Sequence, residues 1–202
     1  MTADDKSILK SILEHISGMD YIKPEDLPNI DLYMDQVTTF MEDQLASTKR
    51  HDDDKILTKT MINNYAKNNL LPSPVKKRYS REHLLVLIFI YYFKNILSIN
   101  DIQTLLNPIT DKYFKSQEKL DLTSIYEEVF SMEKEQIEVL KKELLKDYQT
   151  AQNTFTDAPE DEQDFLKLFS FICLLSFDVY MKKTIIEQMI DSLRDKDPRK
   201  KK

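Results

Sequence analysis

The chain has 202 residues, of which 41% are apolar and 32% charged, with a net charge of −6. These proportions belong to a folded globular chain and not to a disordered one, and the length is enough for one domain or two small ones. A single glycine argues against sheet-rich folds and phosphate-cradling loops, which need glycine where φ turns positive or the backbone meets a ligand. A single cysteine, Cys173, cannot form an intrachain disulfide. It lies in an apolar run, so a buried thiol and a reducing compartment are expected. The first ten residues, MTADDKSILK, lack the apolar core of a secretion signal, so a cytoplasmic location is expected.

Apolar positions 8, 9, 12, 13 and 16 predict a short amphipathic helix over residues 6–16. Gly18 and Pro24–Pro28 form a connector. Asp31 is placed to cap a helix over 32–45, whose apolar positions follow a 3.6 period. A polar loop, 47–55, precedes a helix over 57–68 capped by Thr58, with Asn68 or Asn69 able to take the left-handed conformation at its end. Pro72 and Pro74 forbid helix, so 71–79 reads as a loop or a small β-wing. Ser80 caps a strongly apolar helix over 81–96, with His83 read as a surface or boundary residue. A short helix runs from Ser98 or Asn100 to Leu106, and Pro108 marks a break. Residues 122–148 form one long helix with heptad-like apolar positions interrupted at Glu133. An acidic linker, 150–164, leads to a final helix over 165–193. Its apolar run 165–181 carries Lys167 and Asp178 and is too short and too charged for a membrane span. That run reads as core or dimer interface, and its aromatics, Phe165, Phe169, Phe171, Phe177 and Tyr180, as core before cavity lining. Residues 194–202 read as a basic disordered tail.

Charge is the most informative feature. Between Lys55 and Arg81 stand seven of the 29 basic residues and none of the 35 acidic ones. A local cationic patch on an acidic body fits an anion-binding surface, although charge runs also serve only to solubilise. Within 57–71, Lys59, Asn63 and Lys67 fall on one helical face beside Thr60 and Asn64, while Leu57, Met61, Ile62 and Tyr65 turn inward. Asn can bond both N6 and N7 of adenine, Thr can touch the thymine methyl, and Lys can reach guanine or phosphate, so the helix suits major-groove reading. Lys76, Lys77, Arg78 and Arg81 would clamp phosphates from the wing or the next helix start.

Leu57-Thr58-Lys59-Thr60-Met61-Ile62-Asn63-Asn64-Tyr65 followed by Asn69-Leu70-Leu71-Pro72 resembles the recognition helix of the mercury-resistance (MerR) type regulators. The similarity continues through Lys77-Arg78-Tyr79 at the wing end, Leu84, Leu87 and Ile90, and Leu97-Ser98-Ile99-Asn100-Asp101-Ile102. Here Asn63 stands where that family has Arg, Met61 where it has Thr, Ala66 where it has Glu, and Asn69 where it has Gly. The wing is shorter, and the loop before the 57–68 helix is longer. Leu32-Tyr33-Met34-Asp35-Gln36-Val37 together with the 57–65 segment is closer still to the bacterial domain of unknown function 1836 family, over roughly residues 25–130. The resemblances imply a bacterial cytoplasmic protein with a winged helix-turn-helix, and the second supplies no activity.

No cysteine–histidine pairing, nucleophile elbow or phosphate loop occurs, so no enzyme and no cofactor are expected. His51-Asp52-Asp53-Asp54 lacks the alternating ligands and glycine turn of a calcium loop. The expected fold is therefore all-α: a winged helix-turn-helix over 25–107 with a small β-wing, then a helical dimerisation or interaction region over 122–193. The expected function is a homodimeric transcriptional regulator that reads double-stranded DNA with Thr58, Lys59, Thr60, Asn63, Asn64, Tyr65 and Lys67, supported by Lys76, Lys77, Arg78 and Arg81. It would use no membrane, and a small-molecule effector is left open. The alternative is an adaptor or antirepressor that keeps this fold without binding DNA.

Overall fold

The structure is a computed structural model, and it describes residues 3–18, 20–116 and 118–196. The expected helical chain is borne out, with 71% of residues in helix and 3% in strand. In order the elements are α1 (Ala3–Ser17), a 3₁₀ turn (Pro24–Asp26), β1 (Leu32–Tyr33), α2 (Met34–Leu45), a 3₁₀ turn (Ala46–Thr48), α3 (Lys59–Lys67), β2 (Arg78–Tyr79), α4 (Arg81–Phe93), α5 (Ile99–Tyr113), α6 (Leu122–Ser131), α7 (Glu133–Gln152) and α8 (Glu160–Lys196). Among the described residues no helix is long and apolar enough to cross a membrane.

The chain separates into two compact units, with divisions after Tyr21 and inside α6 and α8. One unit comprises residues 22–129 and the chain from 187 onward. Its centre is α4, whose sequence LLVLIFIY is apolar on every side; such a helix can only be stable when surrounded. Every residue from His83 to Tyr91 is buried. The same unit buries Val37, Met41 and Leu45 of α2, Ile62 and Tyr65 of α3, Ile102 and Leu106 of α5, and Leu122 and Tyr126 of α6. Tyr126 fixes the far edge: its ring meets Phe89 edge-on at 5.6 Å, and its hydroxyl donates to the Ile22 carbonyl at 2.7 Å. The other unit, up to residue 21 and 130–186, has a smaller core of Leu9, Leu144, Tyr148, Ala151 and Phe171.

Several local expectations are corrected. Asp31 does not cap α2. Leu32 and Tyr33 form a strand that pairs with Tyr79 and Arg78, and the helix begins at Met34 with the Gln36 side chain accepting from the Tyr33 N–H at 2.9 Å. Pro108 lies inside α5. The helix enters it strongly capped: Ser98 Oγ accepts from the Asp101 N–H, and Asp101 Oδ2 accepts from both the Ser98 N–H and hydroxyl. On either side of Pro108, apolar positions 102, 106, 109 and 113 keep helical spacing. The single long helix expected over 122–148 is two, divided at Met132. The division puts Glu133 and Glu135 in the first turn of α7, where the helix dipole favours carboxylates. Residues 194–196 are helical, and the remainder of the basic tail lies outside the described residues. Near the end of α8, the Arg194 guanidinium bonds Asp101 Oδ1 at 2.5 Å and the Thr104 hydroxyl at 3.1 Å, joining α8 to α5.

His83, expected at a boundary, is 1% exposed. As the third residue of α4 its Nδ1 accepts the Ser80 N–H at 2.9 Å, closing half of a capping box. Its ring lies edge-on to Tyr79 at 5.5 Å and to Phe114 at 4.8 Å. Nε2 is buried without a hydrogen-bond partner, with the Pro72 and Ser73 backbone near the ring. Burial holds the imidazole below its ordinary pKa, so the neutral form is the native one. The stability this contributes is present above the unfolded-state pKa of about 6.5 and is lost as pH falls through the depressed native value. Thermal melts should therefore drop by a few degrees between pH 7 and 5.5. His83→Gln, which keeps an acceptor for the cap but cannot titrate, should melt lower at pH 7 and flatten that slope. An unchanged slope in the variant would assign the acid lability to another group.

Candidate nucleic-acid interface

Residues 55–81 fold into a loop, a helix and a tight hairpin turn, and each is determined locally. Thr58 caps α3, its hydroxyl accepting the Met61 N–H at 3.2 Å. At the other end Asn69 takes φ 55°. The Leu70 N–H then reaches the Tyr65 carbonyl at 2.9 Å and the Asn69 N–H reaches that of Ala66 at 3.2 Å, the paired closure of a Schellman motif. Gln103 of α5 also donates to the Asn68 carbonyl. The end of the helix, where a glycine is usual, is thus built by asparagine, as the sequence predicts.

α3 presents two faces. Ile62 and Tyr65 are buried, while Lys59, Thr60, Asn63, Asn64 and Lys67 are exposed. Tyr65, expected among the DNA contacts, belongs to the core, and burial raises its phenol pKa. The reason lies in its spacing: position 65 is three residues after Ile62 and shares its inward face. Thr58 is half-buried and its oxygen is committed to the cap.

After α3 the chain turns at Val75–Arg78. The Arg78 N–H bonds the Val75 carbonyl at 2.9 Å, and both central residues, Lys76 (φ 51°) and Lys77 (φ 62°), are left-handed. This is the pattern of a two-residue type I′ hairpin, where Asn-Gly is the usual pair because side chains cost about 1–2 kcal/mol each at positive φ. Here two exposed lysines occupy it. Arg78 then pairs with Tyr33 in the β1–β2 ladder. Its guanidinium lies 5.0 Å from the Tyr33 ring centroid and donates to the Tyr33 hydroxyl at 3.0 Å. Among the described residues, Lys67, Lys76, Lys77 and Arg78 make no ion pair with a carboxylate.

Two expected contacts are differently employed. Arg81 turns back onto the 24–29 segment, donating to the Pro24 carbonyl at 2.7 Å and to Asn29 Oδ1 at 3.5 Å, with its Nε buried. It is an internal clamp, not an open cation. Lys59 pairs with Asp35 of α2. The segment 55–81 is free of acids in sequence, but α2 packs against both α3 and the strand pair and brings an acid to it. Tyr33 and Asp35 are the residues that sequence reasoning missed. Neither lies in the basic run: the pairing of β1 with β2 brings Tyr33 to Arg78, and the packing of α2 on α3 brings Asp35 to Lys59. No group of His, Cys, Asp or Glu able to hold a metal ion occurs among the described residues.

The family described as a domain of unknown function (DUF1836) matches residues 22–129, and the chain belongs to that family. No curated protein and no solved structure matches the chain. The matched segment contains α2, α3, the hairpin turn and α4 to most of α6.

The turn gives a stability test. Lys77→Gly removes a side chain from a left-handed position and should stabilise the protein by roughly 0.5–1 kcal/mol, net of the flexibility glycine adds to the unfolded chain. Urea denaturation should show a higher midpoint with an unchanged slope; a lower midpoint would mean that the lysine side chain contributes native contacts outweighing its backbone strain.

Proposed function

We propose that this chain is a DNA-binding transcriptional regulator of the cytoplasm. In this reading the segment from β1 to α4 is a winged helix-turn-helix, with α3 in the major groove and the Lys76–Lys77 turn as its wing, acting as a homodimer on a dyad operator. The observation that carries the reading is the outward face of α3. Thr60, Asn63 and Asn64 stand there between Lys59 and Lys67, so groups that read base edges are flanked by groups that hold phosphate. Nine residues at 1.5 Å rise give a helix about 13 Å long, comparable with the roughly 12 Å width of the major groove.

Each side chain then has a role. Asn63 and Asn64 read bases. Lys67, Lys76, Lys77 and Arg78 neutralise phosphates, with Tyr33 holding the Arg78 guanidinium in place. Asp35 competes with phosphate for Lys59. The rival reading, an adaptor that binds no DNA, draws on that same Asp35–Lys59 pair, because an acid beside the reading helix opposes a polyanion.

Titration of a selected duplex and a scrambled one at several salt concentrations separates the two. Three to five phosphate contacts per protomer should give a steep decline, since log affinity falls by about 0.9 per neutralised phosphate per decade of salt. Lys77→Ala and Arg78→Ala should weaken both duplexes about equally. Asn63→Ala should cost on the order of 1–3 kcal/mol on the selected duplex and little on the scrambled one. Asp35→Asn should tighten both. Absence of any sequence preference in the wild type, or equal losses for Asn63→Ala on both duplexes, would remove α3 from its role.

A further inference from the structure

α8 leaves a row of apolar side chains in solvent. Phe165, Ile172, Val179 and Ile186 recur every seven residues and are 69%, 52%, 64% and 36% exposed, with Phe169 and Tyr180 exposed beside them. A seven-residue apolar repeat is the pattern by which one helix packs along another. The aromatic residues Phe165, Phe169 and Tyr180 alone leave roughly 400 Å² uncovered, at about 200 Å² per side chain. That is about half of the ~800 Å² that each partner gives to a standard interface. The unit's own core, by contrast, has five buried residues among the described ones.

Charge indicates what covers this face. α8 opens with Glu160, Asp161 and Glu162 and carries Lys182 and Lys183 some twenty residues later. At 100° per residue, Asp161, Phe165, Ile172, Val179 and Lys183 project within about 40° of one another. Two such helices laid parallel would set acid against acid and lysine against lysine. Laid antiparallel with Ile172 at the centre, they set Asp161 opposite the partner's Lys183 and Phe165 opposite the partner's Val179, and Ile172 meets its own counterpart. Between Asp161 and Lys183 the face matches itself in both apolar and charged positions under a two-fold axis, with Ile186 beyond the overlap, and this fits a second copy of the same chain.

We infer that α8 pairs antiparallel with α8 of a second copy, centred on Ile172. This deepens the homodimer of the proposed function by assigning its surface, and it is tested without DNA, so its failure leaves the reading of α3 standing. Sedimentation equilibrium of the full chain should show a dimer at about 10 μM, where a specific interface of this size persists. Asp161→Lys and Lys183→Glu should each weaken association about tenfold, since each reversal acts at two symmetry-related pairs, and the double variant should recover to within about threefold of wild type. In a Cys173→Ser background, Ile172→Cys should oxidise to a covalent dimer. Phe165→Cys should not, because antiparallel pairing holds the two copies of residue 165 far beyond the ~7 Å limit for a disulfide. A monomer at tens of micromolar, a double charge variant no better than the singles, or Phe165→Cys cross-linking as readily as Ile172→Cys would overturn the inference.

Discussion

The unit that carries the candidate interface depends on the burial of α4. Nine consecutive residues, His83 to Tyr91, are removed from water on every side of the helix. At roughly 1.5–3 kcal/mol for each large apolar side chain, this one helix carries the largest block of hydrophobic stabilisation in the unit. It also constrains its neighbours, because α5 and β2 pack against it and Tyr126 of α6 meets its Phe89. The exposed side of α3 is what remains after Ile62 and Tyr65 have been turned inward. The candidate reading face is thus a by-product of core formation in its position, while its chemistry is set by the residues left outside.

Much of this was legible in the sequence because it is local. Thr58 as a cap, Asn69 as a left-handed terminator and the inward stripe of α3 follow from spacing and side-chain chemistry, and the structure places them accordingly. The misplaced features are those decided at a distance. Asp31 looked like a cap until the partner strand 47 residues later drew Leu32 into pairing with Tyr79. Pro108 looked like a stop, but packing of Ile102 and Leu106 and the doubly bonded Asp101 carry the helix through it. His83 carries a polar ring and so read as a boundary residue, yet an aromatic slot and a backbone donor make burial favourable. The aromatic run of α8 read as core; Phe171 is buried, whereas Phe165, Phe169, Phe177 and Tyr180 are exposed. Cys173 likewise is only partly buried. The electrostatics of α3 were legible only in part, since Asp35 enters through tertiary packing.

The hairpin turn shows the opposite balance. A chain with one glycine must make its left-handed positions from other residues, and Asn69 does so at little cost because its side chain tolerates that conformation. Lys76 and Lys77 have no such excuse. Two flexible cations held at positive φ are a less stable choice than Asn-Gly, and strain of this kind persists where the surroundings over-determine it. The short β1–β2 pairing and the Arg78–Tyr33 stack supply that determination, fixing the strand on which the turn is mounted.

Asp101 divides one carboxylate between two helices. One oxygen closes the N-terminal cap of α5, and the other receives Arg194 from the last turns of α8. Those hydrogen bonds, from Ser98 first and Arg194 after it, lower the acid's pKa from its ordinary value. Fraying of the α8 terminus would release a guanidinium and leave the cap acid short of a donor, so the amides of the first turn of α5 should lose protection whenever the end of α8 opens. The two helix ends, 93 residues apart along the chain, should then share one local opening equilibrium, with slow hydrogen exchange at either expected to report on both.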